Sequence, residues 1–248
     1  MSLSFGYRLA LCVLLASSMS VDVAAKSSLD ELSFVKKMRL AKAGDPDAKM
    51  AVAEALEMGT DTKINIVQAA KWYREAALTG NYEAQFRLAK LVEKGAPGLK
   101  ADKPTAVKLL QSAANHGHAA SQNLLGQLLQ NGDGIAKDEK SAVVFYRKAA
   151  DQNLAAAQNN LGVMLLKGLG TDRNLDEAFK YFSLAAIAED GWAMNNLGGM
   201  YEMGWGTAKD IEKAKLYYEK AASKGIVIAA TNIKRLQSNI PAPTAPKP

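Results

Sequence analysis

Five Ala-Ala pairs recur along this chain at an almost constant step: Ala76-Ala77, Ala113-Ala114, Ala149-Ala150, Ala185-Ala186 and Ala221-Ala222, separated by 37, 36, 36 and 36 residues. A second series keeps the same beat, with Val52, Leu88-Ala89, Leu125-Gly126, Leu161-Gly162, Leu197-Gly198 and Ile233. A third, Gly59, Gly95, Gly132, Gly168 and Gly204, follows the second by seven residues. A period of this length means supersecondary units that cannot bury their apolar faces alone and so must stack. Stacked arrays offer long surfaces rather than enclosed reaction chambers, which directs function towards binding a macromolecule.

Each repeat reads as two helices. In the fourth, Ala157, Leu161, Met164 and Leu165 fall at i, i+4, i+7 and i+8, one face of a helix. Gly168-Leu169-Gly170 then interrupts it, because glycine accepts the left-handed backbone of a helix end. Ala178, Tyr181, Phe182, Ala185 and Ala186 form the second stripe, with Asn174 as N-cap. Asn65, Asp102, Asp138 and Asp210 hold the same position in the other repeats. The aromatic pairs Trp72-Tyr73, Phe145-Tyr146, Tyr181-Phe182 and Tyr217-Tyr218 alternate with the alanine pairs. Alanines allow close helix approach, and rings fill the space one turn away. The second repeat has Leu109-Leu110 instead of rings and one extra residue within Gly95-Ala96-Pro97-Gly98, hence its step of 37.

On these residues the chain resembles the Sel-1-like repeat family, relatives of tetratricopeptide repeats. The run from Ala193 through Leu197-Gly198, Tyr201 and Gly204-Trp205-Gly206, then from Asp210 to Gly225, follows the family pattern most fully. Departures are Asp61 for a loop glycine, Asn153 and Glu189 for the glycine closing a repeat, and Ser121 for the opening alanine. The resemblance implies an all-α solenoid, a right-handed superhelix of stacked antiparallel helix pairs. It divides residues 48–228 into five repeats, about 48–83, 84–120, 121–156, 157–192 and 193–228.

Residues 26–47 align with a lone second helix and act as an N-terminal capping half-repeat, in which Ser28 to Glu31 reads as a capping box. Lys36-Lys37 replace the aromatic pair there, as suits the open end of a stack. Residues 229–239 form a C-terminal capping helix, and the Pro/Ala-rich 240–248 an extended tail. Residues 1–25 have a different character: Arg8, an apolar run from Leu9 to Ala16, and the small residues Val23-Ala24-Ala25. That order is the one of a secretory signal peptide cleaved near Ala25. Cleavage removes Cys12, the sole cysteine, so the mature chain has no disulfide and its stability rests on stacking. The expected location is periplasmic or secreted, with no integral membrane segment after signal removal.

The net charge of +6 comes from lysines scattered over every repeat rather than gathered in runs, which argues against nucleic acid as a partner. Ser33-Phe34-Val35-Lys36 matches an S-x-x-K motif, but no K-T-G follows. His116 and His118 share a loop without the carboxylate or thiol cluster a metal site needs. The reading is therefore a non-enzyme with no cofactor and no metal. A cysteine-rich branch of the family is linked to β-lactam hydrolysis, and its cysteines are missing here.

What remains is surface. First helices of such a superhelix line the concave side, the usual docking face. Beside the core stripe they carry a second row at i, i+4 and i+7, in which Phe86, Lys90, Asn123, Gln127, Asn159 and Asn195 recur in register. Asn123, Asn159 and Asn195 make a ladder of amides at steps of 36, suited to reading peptide groups or to bonding within the solenoid. Trp192 and Trp205 are candidate aromatic anchors. The expected function is an exported scaffold that binds another protein through this groove. It would act as adaptor or regulator in the envelope, for example of a sensor protein. Binding of cell-wall material or a β-lactam-related, hydrolase-like activity, and a secreted effector engaging host proteins, are the alternatives.

Overall fold

The computed structural model describes Leu29 and residues 31–238, and within them the chain is twelve helices. In order they are α1 (Phe34–Lys42), α2 (Pro46–Met58), α3 (Ile66–Ala77), α4 (Tyr82–Lys94), α5 (Lys103–Asn115) and α6 (Ala119–Asn131). There follow α7 (Glu139–Ala150), α8 (Ala155–Lys167), α9 (Leu175–Ile187), α10 (Gly191–Met203), α11 (Ile211–Ser223) and α12 (Val227–Gln237). The first helices of the five repeats are α2, α4, α6, α8 and α10; the second helices are α3, α5, α7, α9 and α11. The architecture is the α-solenoid expected from the repeat.

The described residues fall into two compact bodies, one up to Ala106 and one from Val107 onward. In the first, α1 packs on α2, α2 on α3 and α3 on α4. In the second, packing again follows chain order, from α6 through to α12. Packing chiefly between elements close in sequence is the signature of a quasi-one-dimensional array.

Local chemistry sets the helix ends. All five second helices are capped by the residue the sequence marks. The side-chain oxygens of Asn65, Asp102, Asp138, Asn174 and Asp210 each accept the backbone N–H three residues on, at 2.9–3.0 Å. Each such cap is worth about 1 kcal/mol. First helices are capped by Asp45, Asn81 and Asp190 at 2.7–2.8 Å. At α6 the cap is His118, whose Nδ1 accepts from the Ser121 N–H at 3.2 Å and lies 2.9 Å from its Oγ. Ser121, the departure from alanine, is fully buried and bonds its own cap. The other departures keep the backbone that the missing glycine would have: Asp61, Asn153 and Glu189 have φ of 58°, 63° and 62°. The repeat imposes the left-handed turn even where the residue bears its steric cost. The inserted residue near Pro97 is absorbed by a tight turn, in which Ala96 and Leu99 exchange both backbone hydrogen bonds at 2.8 Å.

The flanking helices differ somewhat from expectation. The first begins at Phe34, with Ser33 as its N-cap residue and no side-chain cap bond, so the Ser33–Lys36 pair is the ordinary start of a helix. Ser28 and Asp30 of the expected capping box, the expected signal peptide (1–25) and the expected tail (240–248) lie outside the described residues. Lys37 takes the place of the ring and is buried, while Lys36 is exposed. The last helix runs Val227–Gln237 rather than from 229, because the turn at Gly225-Ile226 releases the chain two residues earlier.

The two members differ in three of the four aromatic pairs, while Tyr181 is buried beside Phe182. Tyr73, Tyr146, Phe182 and Tyr218 are buried to 2% exposure or less, as is Leu110 in the ringless repeat. The preceding Trp72, Phe145 and Tyr217 stay half-buried. The inner ring lies against a small residue on the first helix of its repeat. A Cβ placed on Gly126, Gly162 or Gly198 would fall 2.7–2.8 Å from Tyr146, Phe182 or Tyr218. Where the ring is tyrosine, its hydroxyl donates to an acceptor one turn further along that helix. Tyr73 donates to Glu57, Tyr146 to Gln130 and Tyr218 to Glu202, at 2.5, 2.7 and 2.8 Å. Where the ring is Phe182, the acceptor position holds Leu166. Burial, reinforced at Tyr73 and Tyr218 by the carboxylate bond, raises these phenols far above the usual tyrosine range and keeps them donors.

Gly162→Ala should therefore lower stability by about 1–3 kcal/mol through overpacking against Phe182. Gly199→Ala, one residue beyond the equivalent glycine in the next repeat, meets only the Tyr218 hydroxyl at 3.5 Å. It should raise stability by about 0.5–1 kcal/mol through helix propensity. Urea unfolding followed by circular dichroism checks both signs.

Candidate protein-docking groove

In the C-terminal body the first helices are joined by a ladder of side-chain amides. Asn160 Nδ2 donates to Asn123 Oδ1 at 2.9 Å, Asn196 to Asn159 at 2.9 Å, and Asn232 to Asn195 at 3.1 Å. The row Asn123, Asn159, Asn195 is the one expected from the sequence, and every rung crosses from one repeat to the next. The donor row, Asn160, Asn196 and Asn232, was not among the expected site residues. Its signal is the doublets Asn159-Asn160 and Asn195-Asn196, whose second members share the same step of 36. Each rung joins the oxygen of one amide to the nitrogen of the other, one of the four hydrogen bonds each amide can make.

A second set of amides lies deeper. Gln122 and Gln158 are buried, and each Nε2 donates back to the last turn of the preceding second helix, at Ala114 O (3.0 Å) and Ala150 O (3.4 Å). These bonds satisfy carbonyls that helix ends leave unpaired. Gln152 Nε2 donates to Gln122 Oε1 at 2.8 Å and completes that network.

In the N-terminal body the equivalent of the donor row is Arg87. Its Nε donates to Glu83 at 2.6 Å, and Glu57 and Glu54 lie at 3.7 and 3.8 Å. Three carboxylates surround it, so it is not a clamp for a ligand's carboxylate. Among the expected site residues here, the exposed Lys90 ammonium lies 5.5 Å from the ring centroid of the half-buried Phe86. Gln127, on α6 in the other body, is also half-buried.

The amide ladder opens into a 220 Å³ cavity among the last first helices. Asn195, Asn196, Gly199 and Met203 of α10, Leu166 of α8 and Trp205 after α10 supply part of its wall. Asn232 and Arg235 of α12 close it. At its base Arg235 donates to Glu202 through both terminal nitrogens, Nη1 and Nη2, at 2.6 and 2.5 Å, while Tyr218 donates to the same carboxylate. Glu202 is 6% exposed, so this pair is buried polar structure rather than surface decoration. It ties the capping helix to the last full repeat.

The two tryptophans part company. Trp205 is half-buried and packs against the core, because its loop is drawn in where Gly206 approaches the Leu175 carbonyl too closely for any Cβ. The Arg173 guanidinium lies 5.8 Å from the Trp205 ring centroid, and Arg173 Nε donates to Leu166 O at 3.1 Å. Trp192, at the first turn of α10, is 57% exposed and does not line the cavity. A separate hollow of 380 Å³, bounded by Ile187, Met194, Tyr217 and Lys220, is crossed by the Lys224–Glu189 ion pair at 2.7 Å. His116 bonds the Ser112 carbonyl through Nδ1 at 2.8 Å, so both histidines serve helix ends. Among the described residues no helix is long and apolar enough to cross a membrane.

The pattern of the Sel1 repeat matches residues 46–81, 83–118, 119–154, 155–190 and 193–226. The chain belongs to the Sel1 repeat family. Sel1 repeats form scaffolds that commonly mediate protein–protein interaction and are generally non-catalytic. A similar solved structure is a protective antigen present in uropathogenic Escherichia coli strains. It has 29% identity and a TM-score of 0.75, with 82% of this chain and 44% of that one covered. The present chain thus spans under half the length of that antigen. A Sel1 repeat protein from Oxalobacter formigenes is similar at 25% identity and TM-score 0.74, covering 86% and 92% of the two chains. An immunity protein from Pseudomonas aeruginosa is similar at 25% identity and TM-score 0.50, covering 75% and 68%. No match was found among curated protein sequences.

The Glu202–Arg235 pair gives this groove a stability test. Arg235→Met leaves a buried carboxylate without its counter-charge and should cost about 3 kcal/mol. Adding Glu202→Leu and Tyr218→Phe, which reproduces the Leu166–Phe182 pair of the preceding repeat, should recover most of that loss. Thermal unfolding of the single and triple variants checks both.

Proposed function

We propose that this Sel1 repeat protein is exported, loses residues 1–25, and serves in the cell envelope as an adaptor or regulator that docks another protein. The docking face is the row of first helices bearing the amide ladder. The observation that carries this reading is the composition of the groove at the end of the ladder. It combines amides that retain bonding capacity after the inter-repeat bonds are made with Trp205, Met203 and Leu166. Amides at regular intervals beside an apolar hollow suit an extended polypeptide, whose backbone alternates donors and acceptors and whose side chains seek apolar cover. A sensor or assembly protein of the envelope is the partner class this location would supply. A second reading, an immunity role, draws on the likeness to the Pseudomonas aeruginosa immunity protein; it keeps the docking face and changes the partner.

Two measurements test the proposal. N-terminal sequencing of the mature protein should begin at Lys26; a chain retaining Met1 in the cytosol would overturn the location. In-cell photo-crosslinking from Asn159 should give a discrete adduct that the same probe at exposed Lys148, on α7, does not give. Equal labelling from both positions, or none from Asn159, would remove the docking face. Mass spectrometry of the adduct separates an envelope regulator from an immunity role.

A further inference from the structure

Gly199 is what opens the groove. At its position in the 36-residue register the other first helices carry Glu54, Lys90, Gln127 and Val163, and the capping helix carries Arg235. In the last full repeat that side chain is missing, and a Cβ there would meet only the Tyr218 hydroxyl, at 3.5 Å. Packing of the fold does not demand a glycine here, unlike at neighbouring Gly198, where Cβ would strike the Tyr218 ring at 2.8 Å. The result is a side-chain-sized hollow of 220 Å³, walled by Met203, Trp205 and Leu166.

We propose that this hollow is occupied in cis by the chain's own Pro-Ala-Pro-Thr-Ala-Pro-Lys-Pro segment, residues 241–248. The inference rests on the reading of this face as a docking surface, and makes the segment its resident occupant until a partner displaces it. Placement is the first argument. Arg235 of α12 lines the hollow, and α12 ends at Gln237, under one turn later. The rungs Asn195–Asn232 and Glu202–Arg235 align α12 with α10, so the chain leaves α12 beside the end of α10 that carries Met203 and Trp205. Reach is the second. Ten residues, the number from 239 to 248, reach up to about 31 Å at about 3.1 Å per residue in extended polyproline geometry. Crossing from α12 over α10 to Leu166 on α8 takes two interhelix spacings of about 8–10 Å each.

Chemistry is the third argument. Proline-rich segments dock in aromatic-lined grooves because they are already extended and lose little entropy on binding. Four of the eight residues lack an N–H, so the segment presents mainly carbonyl acceptors. The Asn195 amide, which gives only its oxygen to the Asn232 rung, still has its nitrogen to donate from the groove wall. Tethering one residue stretch from the site supplies an effective concentration of about millimolar, enough for a weak contact to hold.

The test uses the mature exported chain from Lys26, which carries no cysteine, with Ala245→Cys bearing a nitroxide spin label. The occupied groove predicts loss of the Trp205 indole N–H signal, restored on reducing the nitroxide, while Trp192 at the opposite end of α10 keeps its signal. Gly199→Gln, which puts the Gln127 side chain of the third repeat into the hollow, should return the Trp205 signal without loss of helicity. A Trp205 signal that survives the label, or a loss shared equally with Trp192 or unchanged by Gly199→Gln, overturns the proposal. If Asn159 still cross-links its partner while Trp205 is unaffected, only the cis occupancy fails. If the label reports occupancy while no cross-link forms, the docking reading fails instead.

Discussion

The contact between one aromatic ring and one small residue, repeated in register in the last three repeats, holds those helix pairs at their spacing. Tyr146, Phe182 and Tyr218 lie flush against Gly126, Gly162 and Gly198, close enough that a single methyl group would not fit. Burying a whole ring is a large apolar contribution in the four repeats that carry one. The small partner lets the helices come near enough for the alanine pairs to pack in turn. The same contact carries a polar rule: a tyrosine ring brings an acceptor at Glu57, Gln130 or Glu202, and the phenylalanine ring brings Leu166. A buried hydroxyl without a partner would be costly, and each repeat either supplies the acceptor or removes the hydroxyl.

Polar bonding then joins what apolar packing has brought together. Asparagine rungs run between successive first helices, and buried glutamines reach back to the preceding second helix. Because an amide carries both donor and acceptor, the same residues can tie repeats together and still face a ligand. That dual capacity explains why a row of asparagines on one face is compatible with both a structural and a binding role. The bidentate Arg235–Glu202 pair does for the capping helix what the rungs do for the interior, at the point where the ladder meets the groove.

Features set by local sequence were legible, and features set by chain crossings were not. The caps Asn65, Asp102, Asp138, Asn174 and Asp210 depend on an acceptor three residues before an N–H, a relation contained in the sequence itself. The left-handed turns at Asp61, Asn153 and Glu189 follow from register with the glycines of other repeats. Trp205 was harder. Between two glycines it looks exposed, yet contact of its loop with Leu175 and Arg173 folds it onto the core and into the groove wall. Trp192, on the expected stripe by phase, lies off the hollow because that opens at the other end of α10. The donor row Asn160, Asn196 and Asn232 was visible as doublets, but only the distance across repeats reveals which amide meets which.

By itself, then, the sequence determined the family, the helix pairs, their caps and the small-residue sockets, since each depends on a period or a short-range relation that repeats five times. Only the tertiary structure decided that the asparagines bond between repeats, that Trp205 rather than Trp192 joins the groove, and that Gly199 leaves a hollow. The physical reason is separation along the chain. Rungs join residues 37 apart, and the groove gathers side chains from four helices and a loop, so their geometry exists only once the repeats have stacked.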